Sequence, residues 1–206
     1  LGMQIRRAVR RGAKLIVVAP REIDLAKSAD IHLKLRPGTN VAFANGMMQI
    51  ILHDGLMDED FIAKRTENFE ALAEMLSKYT PEYVAKICEI PVESLEEAAH
   101  IYAKATAAPI IYCLGVTEHR TGTEGVMSLS NLAMLCGKLG RPGCGINPIR
   151  GQNNVQGACD MGASPGQYSG YQSIADPEIR GKFEKAWGVK LPDTVGTFAT
   201  ECFTKM

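Results

Sequence analysis

GAKLIVVAPREIDLAKSADIHLKLRPGTN, residues 12–40, decides the fold. From Lys14 to Val18 the side chains are aliphatic and β-branched, a run too short for a helix and apolar enough for a parallel strand covered on both faces. Gly12 ends the amphipathic Ile5–Arg10 helix before it, and Pro20 demands a turn after it. Residues 29–35 then alternate, with Ile31, Leu33 and Leu35 apolar between polar neighbours, which gives a second strand stopping at the Arg36-Pro37-Gly38 turn. Thr39 or Asn40 caps a following helix that reaches Ile51, with Val41, Ala44, Met48 and Ile51 or Leu52 on its inner face.

Outward from that stretch the helix and strand rhythm continues. Asp58–Arg65 and Phe69–Ser77 are short amphipathic helices, Thr80 is a cap ahead of Pro81, and another helix runs from about Glu93 to Ala105. Ile110–Leu114 is a compact apolar strand, residues 115–122 a loop, and Thr123–Lys138 a helix facing inward with Val126, Leu129, Ala133, Leu135 and Cys136. Strand, crossover helix and parallel strand make a layered α/β domain. After Gly140 about thirty residues are rich in Gly, Pro and amides, which reads as a functional loop or a passage into another domain.

The chain has 206 residues, 46% of them apolar, and 23 basic groups against 23 acidic ones. That length buries one sizeable core, or one core plus part of another. The charge balance leaves no global field to recruit a nucleic-acid backbone or an anionic membrane. The longest apolar runs are too short to span a bilayer and no charged-then-apolar leader precedes them, so no membrane insertion and a cytoplasmic protein are expected. The first residues, LGMQIRRAVRRGAKL, open inside an amphipathic helix without an initiator Met, so an internal piece of a longer protein is expected. Cys88, Cys113, Cys136, Cys144, Cys159 and Cys202 are not in close ligand spacing, so buried reduced thiols are expected rather than a metal or iron–sulfur site. Of the histidines only His119 falls beside a suspected site.

In an α/β sheet, ligands collect at the carboxyl ends of the strands, where loops and helix N-termini gather backbone N–H groups. Three loops take that position: Ala19-Pro20-Arg21, then Arg36 with Pro37, Gly38 and Thr39, then Leu114, Gly115, Val116, Thr117 and Glu118. Each also reads as ordinary turn chemistry, with Arg21 in a surface ion pair. Neither G-x-G-x-x-G after the first strand nor G-x-x-x-x-G-K-[ST] occurs, which disfavours plain NAD or P-loop binding. RGQNNVQGACDMG, residues 150–162, has neither helical nor alternating apolar pattern. Arg150, Gln152, Asn153, Asn154 and Gln156 offer donors and acceptors, and Gly151, Gly157 and Gly162 permit close backbone approach, as in a binding edge for a large polar anion or in a tight solvated loop.

GCGINPIRGQNNVQGACDMGASP (143–165) and GYQSIADPEIRGKFEKAWGV (170–189), with residues 12–48 and 115–143 in support, resemble an internal stretch of the catalytic subunits of molybdenum- or tungsten-dependent formate dehydrogenases, within the molybdopterin oxidoreductase family. The resemblance implies a three-layer αβα domain with a mostly parallel, Rossmann-like sheet. That domain would comprise residues 1–152 and bind a pterin guanine dinucleotide, though lacking its first elements, and residues 153–206 would be a partial segment of a neighbouring α/β domain. It implies a Mo or W bis(molybdopterin guanine dinucleotide) in the full-length enzyme, formate as substrate, electron-transfer partners, and a 4Fe-4S cluster bound upstream of this chain, the piece alone being apo and inactive.

By the same resemblance Arg150 and Gln152, with Gly151 between them, face the metal centre: Arg150 orients the carboxylate and Gln152 touches the pterin. Ala19, Pro20 and Arg21, and Pro37, Gly38 and Thr39, match places where a guanosine end is held; Leu114–Glu118 matches a loop along a pterin. Ala19 stands where Asp is usual and Glu118 where Gln is common; a Glu buried near phosphates must be protonated or paired. Asp176–Trp187 becomes a helix detached from its usual sheet, leaving Tyr171, Phe183 and Trp187 exposed. A central domain of a thiamine-diphosphate enzyme shares the strand–helix rhythm but leaves residues 150–162 unexplained, and a module that only docks proteins predicts an apolar surface without ligand chemistry.

Overall fold

Helix α1 (Gly2–Arg10) ends at Arg11, Gly12 turns the chain at φ 96°, and strand β1 (Ile16–Val18) follows. A 3-10 turn at Ala26–Ser28 leads into β2 (Ile31–Leu33), which pairs with β1 in parallel, Val17 opposite His32. The computed structural model describes residues 1–205.

Asp30 fixes where this pairing begins, because its carboxylate accepts from Lys14 Nζ at 2.6 Å and from the Leu15 amide at 2.8 Å. The Lys14 bond first, and the Leu15 amide second, hold the Asp30 carboxyl below the usual carboxylate range. A carboxyl lowered on folding adds stability above its unfolded pKa and loses it as pH falls through the folded value. Asp30→Asn is therefore expected to lower Tm at pH 7 by no more than about 3 °C, since the pair is largely solvated. At a pH below both pKa values the two proteins should melt together, which thermal melts at neutral and strongly acid pH will check.

The core is helical. After β2 come α2 (Asn40–His53), α3 (Glu59–Arg65), α4 (Phe69–Leu76), α5 (Pro81–Cys88) and α6 (Val92–Lys104). Asp58 caps α3 by accepting from the Phe61 amide at 2.9 Å, and Thr80 caps α5 ahead of Pro81 by accepting from Tyr83. The inner stripe expected for α2 understates its burial: Phe43 to Met48 are all buried, with Ile50 and Ile51. Neighbours surround this helix, and α5 approaches so closely that a Cβ on Gly46 would lie 2.7 Å from Val84 Cγ1. Glycine is needed there for packing density, against its usual cost inside a helix.

The chain continues through β3 (Pro109–Tyr112), α7 (Leu114–Thr117), α8 (Gly122–Leu135) and β4 (Gly145–Pro148). Strand β4 pairs in parallel with β3, Ile110 opposite Ile146, inside the stretch expected to be loop. Leu114, expected to end a strand, instead opens α7. Helix α8 stops earlier than expected because Gly137 turns left-handed at φ 59° against the Asp58 carboxylate. Its buried line is Gly122, Gly125, Ser128, Leu132, Ala133 and Leu135, with Val126 and Leu129 half-buried.

The strands divide into two small parallel sheets, β1-β2 and β3-β4, where one continuous sheet was expected. Among the described residues neither β1 nor β3 has a hydrogen-bonded strand on its other edge. The architecture is thus mixed helix and strand with small parallel sheets. Among the described residues no helix is long and apolar enough to cross a membrane.

Leu1–Ile149 forms one compact unit and Arg150–Met206 another. The second unit contains α9 (Val155–Asp160), the antiparallel pair β5 (Gln167–Tyr168) and β6 (Gln172–Ser173), α10 (Pro177–Trp187) and α11 (Ala199–Lys205). Asp176 caps α10 through the Glu178 and Ile179 amides. This helix has a seat after all: Phe183, only 9% exposed, stacks 4.7 Å from the Tyr168 ring and 5.0 Å from Trp187. Trp187 and Tyr171 stay about half exposed, as expected.

Candidate cofactor-binding site

In the first unit the loops at the carboxyl ends of β2 and β3 meet. Asn40, the first residue of α2, donates from Nδ2 to the Gly115 carbonyl at 3.1 Å. Thr39 does not cap α2; its hydroxyl turns back to donate to the Arg36 carbonyl at 2.7 Å, closing the Pro37-Gly38 turn in which Gly38 has φ 89°. The first-turn amides of this fourteen-residue helix are left without a side-chain cap. Helix α8 likewise begins after Thr121 with no side-chain cap. Unsatisfied N–H groups and the positive end of the helix dipole suit an anionic group such as a pyrophosphate.

Gly122 sets the spacing of that second terminus. A Cβ there would run into the Thr117 carbonyl, and one on Gly125 would lie 3.2 Å from Val116, so α7 rests directly on the start of α8. His119 Nε2 shares the Gly115 carbonyl at 3.1 Å. Leu114, Gly115, Thr117 and Glu118 are exposed and Val116 half-buried. Beyond β1, the Ala19 amide continues the ladder to the Leu33 carbonyl at 3.0 Å, and its own carbonyl meets His32 Nε2 at 3.1 Å. Pro20 and Arg21 are exposed, and Arg36 is held at 3.4 Å by Glu89. The uncapped amides and the Arg21 and Arg36 guanidiniums make a donor set that suits an anionic group such as a phosphate.

In the second unit Arg150, Gly151, Gln152 and Asn153 are all exposed. Asn154 takes the left-handed conformation at φ 47° and starts α9, its side chain lying where a Cβ on Gly157 would come within 2.6 Å. Gly162, at φ 85°, packs so that a Cβ would strike the Ser169 nitrogen and Tyr168 carbonyl carbon at 2.8 Å. The glycines of this segment are thus partly internal packing requirements, while the Arg150 and Gln152 side chains project from it. Among the described residues Arg150 makes no hydrogen bond or ion pair within its own unit.

Sequence reading missed a pair in this unit: Tyr171 donates from its hydroxyl to Asp160 Oδ1 at 2.7 Å, and Gly170 donates its amide to the Asp160 carbonyl at 2.7 Å. Tyr171 does so from φ 60°, a left-handed conformation unusual for an aromatic residue. The Asp160 bond raises the phenol pKa above its usual value, with a smaller opposing influence from Arg150. Asn40 was also missed as a site residue, having been assigned only as a helix cap. Burial raises both the Cys88 and the Cys136 thiols, the latter to about 11; Cys202 is exposed, against expectation.

The molybdopterin oxidoreductase family model matches residues 1–202. The chain is 48% identical over 196 residues to the F420-dependent formate dehydrogenase subunit alpha of Methanocaldococcus jannaschii, covering 95% of this chain and 29% of that protein. It is 50% identical over 190 residues to formate dehydrogenase H of Escherichia coli, covering 92% of this chain and 27% of the relative. Acetylene hydratase from Pelobacter acetylenicus superposes with a TM-score of 0.66 at 28% identity, over 68% of this chain and 19% of that structure. The chain therefore spans less than a third of the length of the curated relatives named here. The family model runs through both the strand-end loops and the Arg150 segment, and the chain belongs to the molybdopterin oxidoreductase family.

Proposed function

We propose that this chain is part of the catalytic subunit of a formate dehydrogenase, which oxidises formate to carbon dioxide and passes the electrons to an iron–sulfur cluster. The observation that carries the reading is identity of 48–50% over nearly the whole chain to formate dehydrogenase subunits, against 28% for the acetylene hydratase. The cofactor is a molybdenum or tungsten bis(molybdopterin guanine dinucleotide), which supplies the redox chemistry when bound. The 4Fe-4S cluster, further subunit domains and electron-transfer partners lie outside the chain.

The two strand pairs are halves of one doubly wound, Rossmann-like sheet with helices on both faces, and residues from Arg150 onward are a segment of the neighbouring domain. Ala19-Pro20-Arg21 and Pro37-Gly38-Thr39 hold guanosine and phosphate, with the uncapped start of α2 facing the anion. Leu114–Glu118, with Gly115 tied to Asn40, lies along the pterin. Arg150 orients the formate carboxylate through charge-assisted hydrogen bonds, each worth roughly 1.5–3 kcal/mol, and Gln152 both donates to and accepts from the pterin edge.

Guanine nucleotides test the reading without the assembled metal site. GMP and GDP should each raise the Tm of apo full-length subunit, ADP much less, the stabilisation reaching about 2.7 kcal/mol at a hundred times Kd. Equal shifts with all three, or none, would count against a guanine site. The 206-residue piece alone should contain no stoichiometric metal and show no formate turnover.

A further inference from the structure

Between β5 and β6 the chain turns through Ser169, Gly170 and Tyr171, and this tip is fastened to the end of α9. Gly170 donates its amide to the Asp160 carbonyl at 2.7 Å, and Ser169 Oγ donates to the Met161 carbonyl at 3.0 Å. Those two bonds hold the tip without help from the Tyr171 side chain. Tyr171 nevertheless stands in the left-handed region at φ 60°, directly after Gly170 at φ 74°, where glycine or asparagine fits with less strain. The residue is 55% exposed, so burial does not offset the conformation. What tyrosine adds at this position is a hydroxyl, which donates to Asp160 Oδ1 at 2.7 Å.

Asp160 and Arg150 both act electrostatically on that hydroxyl, with opposite sign, so carboxylate and guanidinium lie within electrostatic reach of the same phenol. An arginine beside an exposed carboxylate is well suited to a two-pronged ion pair, both oxygens accepting from the guanidinium fork. Among the described residues no such pair forms. One oxygen of the Asp160 carboxylate is taken by Tyr171, and the Asp160 main chain is tied to Gly170. The Arg150 side chain stays exposed and unpaired among those residues.

We propose that Tyr171 is a positioning residue for Arg150: by engaging Asp160 Oδ1 it keeps that carboxylate out of an ion pair with the guanidinium, which is left for the substrate carboxylate. The inference rests on the reading of Arg150 as the group that orients formate, and adds what keeps that group available. Without the hydroxyl, Asp160 and formate compete for one guanidinium. The internal pair lowers the fraction of subunit able to bind formate and leaves the bound complex unchanged. An exposed ion pair of ordinary strength sequesters enough arginine to weaken binding about three- to fivefold.

Steady-state formate oxidation by the metal-loaded, full-length subunit tests this, with rates divided by bound metal. Tyr171→Phe should raise KM for formate about three- to fivefold and hold kcat within about twofold of the parent. Adding Asp160→Asn should return KM to within about twofold of the parent, because asparagine carries no charge to compete. A merely structural bond would instead make the double variant no better than the single one. Tyr171→Asn, which takes the left-handed conformation readily, gives the same reading should phenylalanine fail to fold. An unchanged KM in the single variant, or no recovery in the double one, would overturn the inference and leave the formate reading standing. A metal-loaded parent that turns over no formate would overturn the reading itself.

Discussion

Arg150→Lys in the full-length subunit is expected to lower kcat/KM for formate by about a hundredfold while leaving Tm unchanged. The guanidinium presents two parallel N–H groups to a carboxylate, whereas an ammonium presents a point charge on a shorter, rotating stem. Losing one charge-assisted bond and the fixed orientation of the other removes about 2–3 kcal/mol, which is the hundredfold. Stability should not change, because Arg150 is exposed and, among the described residues, makes no hydrogen bond or ion pair within its unit. Steady-state formate oxidation with an artificial electron acceptor, run beside thermal melts, checks both halves. A variant within threefold of the parent rate would remove Arg150 from substrate positioning.

Gly122→Ala should be the most damaging single methyl in the first unit. The added Cβ has to displace the Thr117 backbone, which no rotamer change can relieve. Backbone shifts of this kind cost about 1–3 kcal/mol, more than the roughly 1 kcal/mol that Ala gains over Gly in helix propensity. Because Thr117 belongs to the Leu114–Glu118 loop, and Gly115 in that loop bonds Asn40, the shift reaches the strand-end rim. The expected result is a Tm lowered by several degrees together with loss of bound guanine nucleotide from purified subunit, measured as GMP released by acid hydrolysis. Unchanged nucleotide content would show that the α7–α8 junction does not support the cofactor.

Elements defined by local pattern were legible in the sequence. Gly12 and Pro20 bracketed β1, the alternation Ile31-Leu33-Leu35 marked β2, and Asp58, Thr80 and Pro81 placed helix starts correctly. Strand β4 was not, since Gly145, Asn147 and Pro148 are poor strand formers and only pairing with β3 makes them one. The open edges of β1 and β3 were hidden for the same reason: a run of apolar residues shows that a strand is covered, not which segment covers it. At the site, Pro37-Gly38-Thr39 and Leu114–Glu118 could be placed at strand ends, while the Asn40–Gly115 bond and the left-handed Tyr171 on Asp160 required coordinates. Val126 and Leu129, expected to face inward, are half-buried, while Gly122, Gly125 and Ser128, small residues that look uninformative, form the close-packed face of α8.

A structure of the full-length subunit as isolated, with anomalous scattering collected at the metal absorption edge, tests the central claim most directly. The account predicts the metal within roughly 7 Å of the Arg150 guanidinium, the span of one carboxylate and its hydrogen bonds, and a guanosine against Pro37-Gly38-Thr39 or Ala19-Pro20-Arg21. A metal well beyond the reach of Arg150, or a rim left bare while the cofactor binds elsewhere, would contradict it.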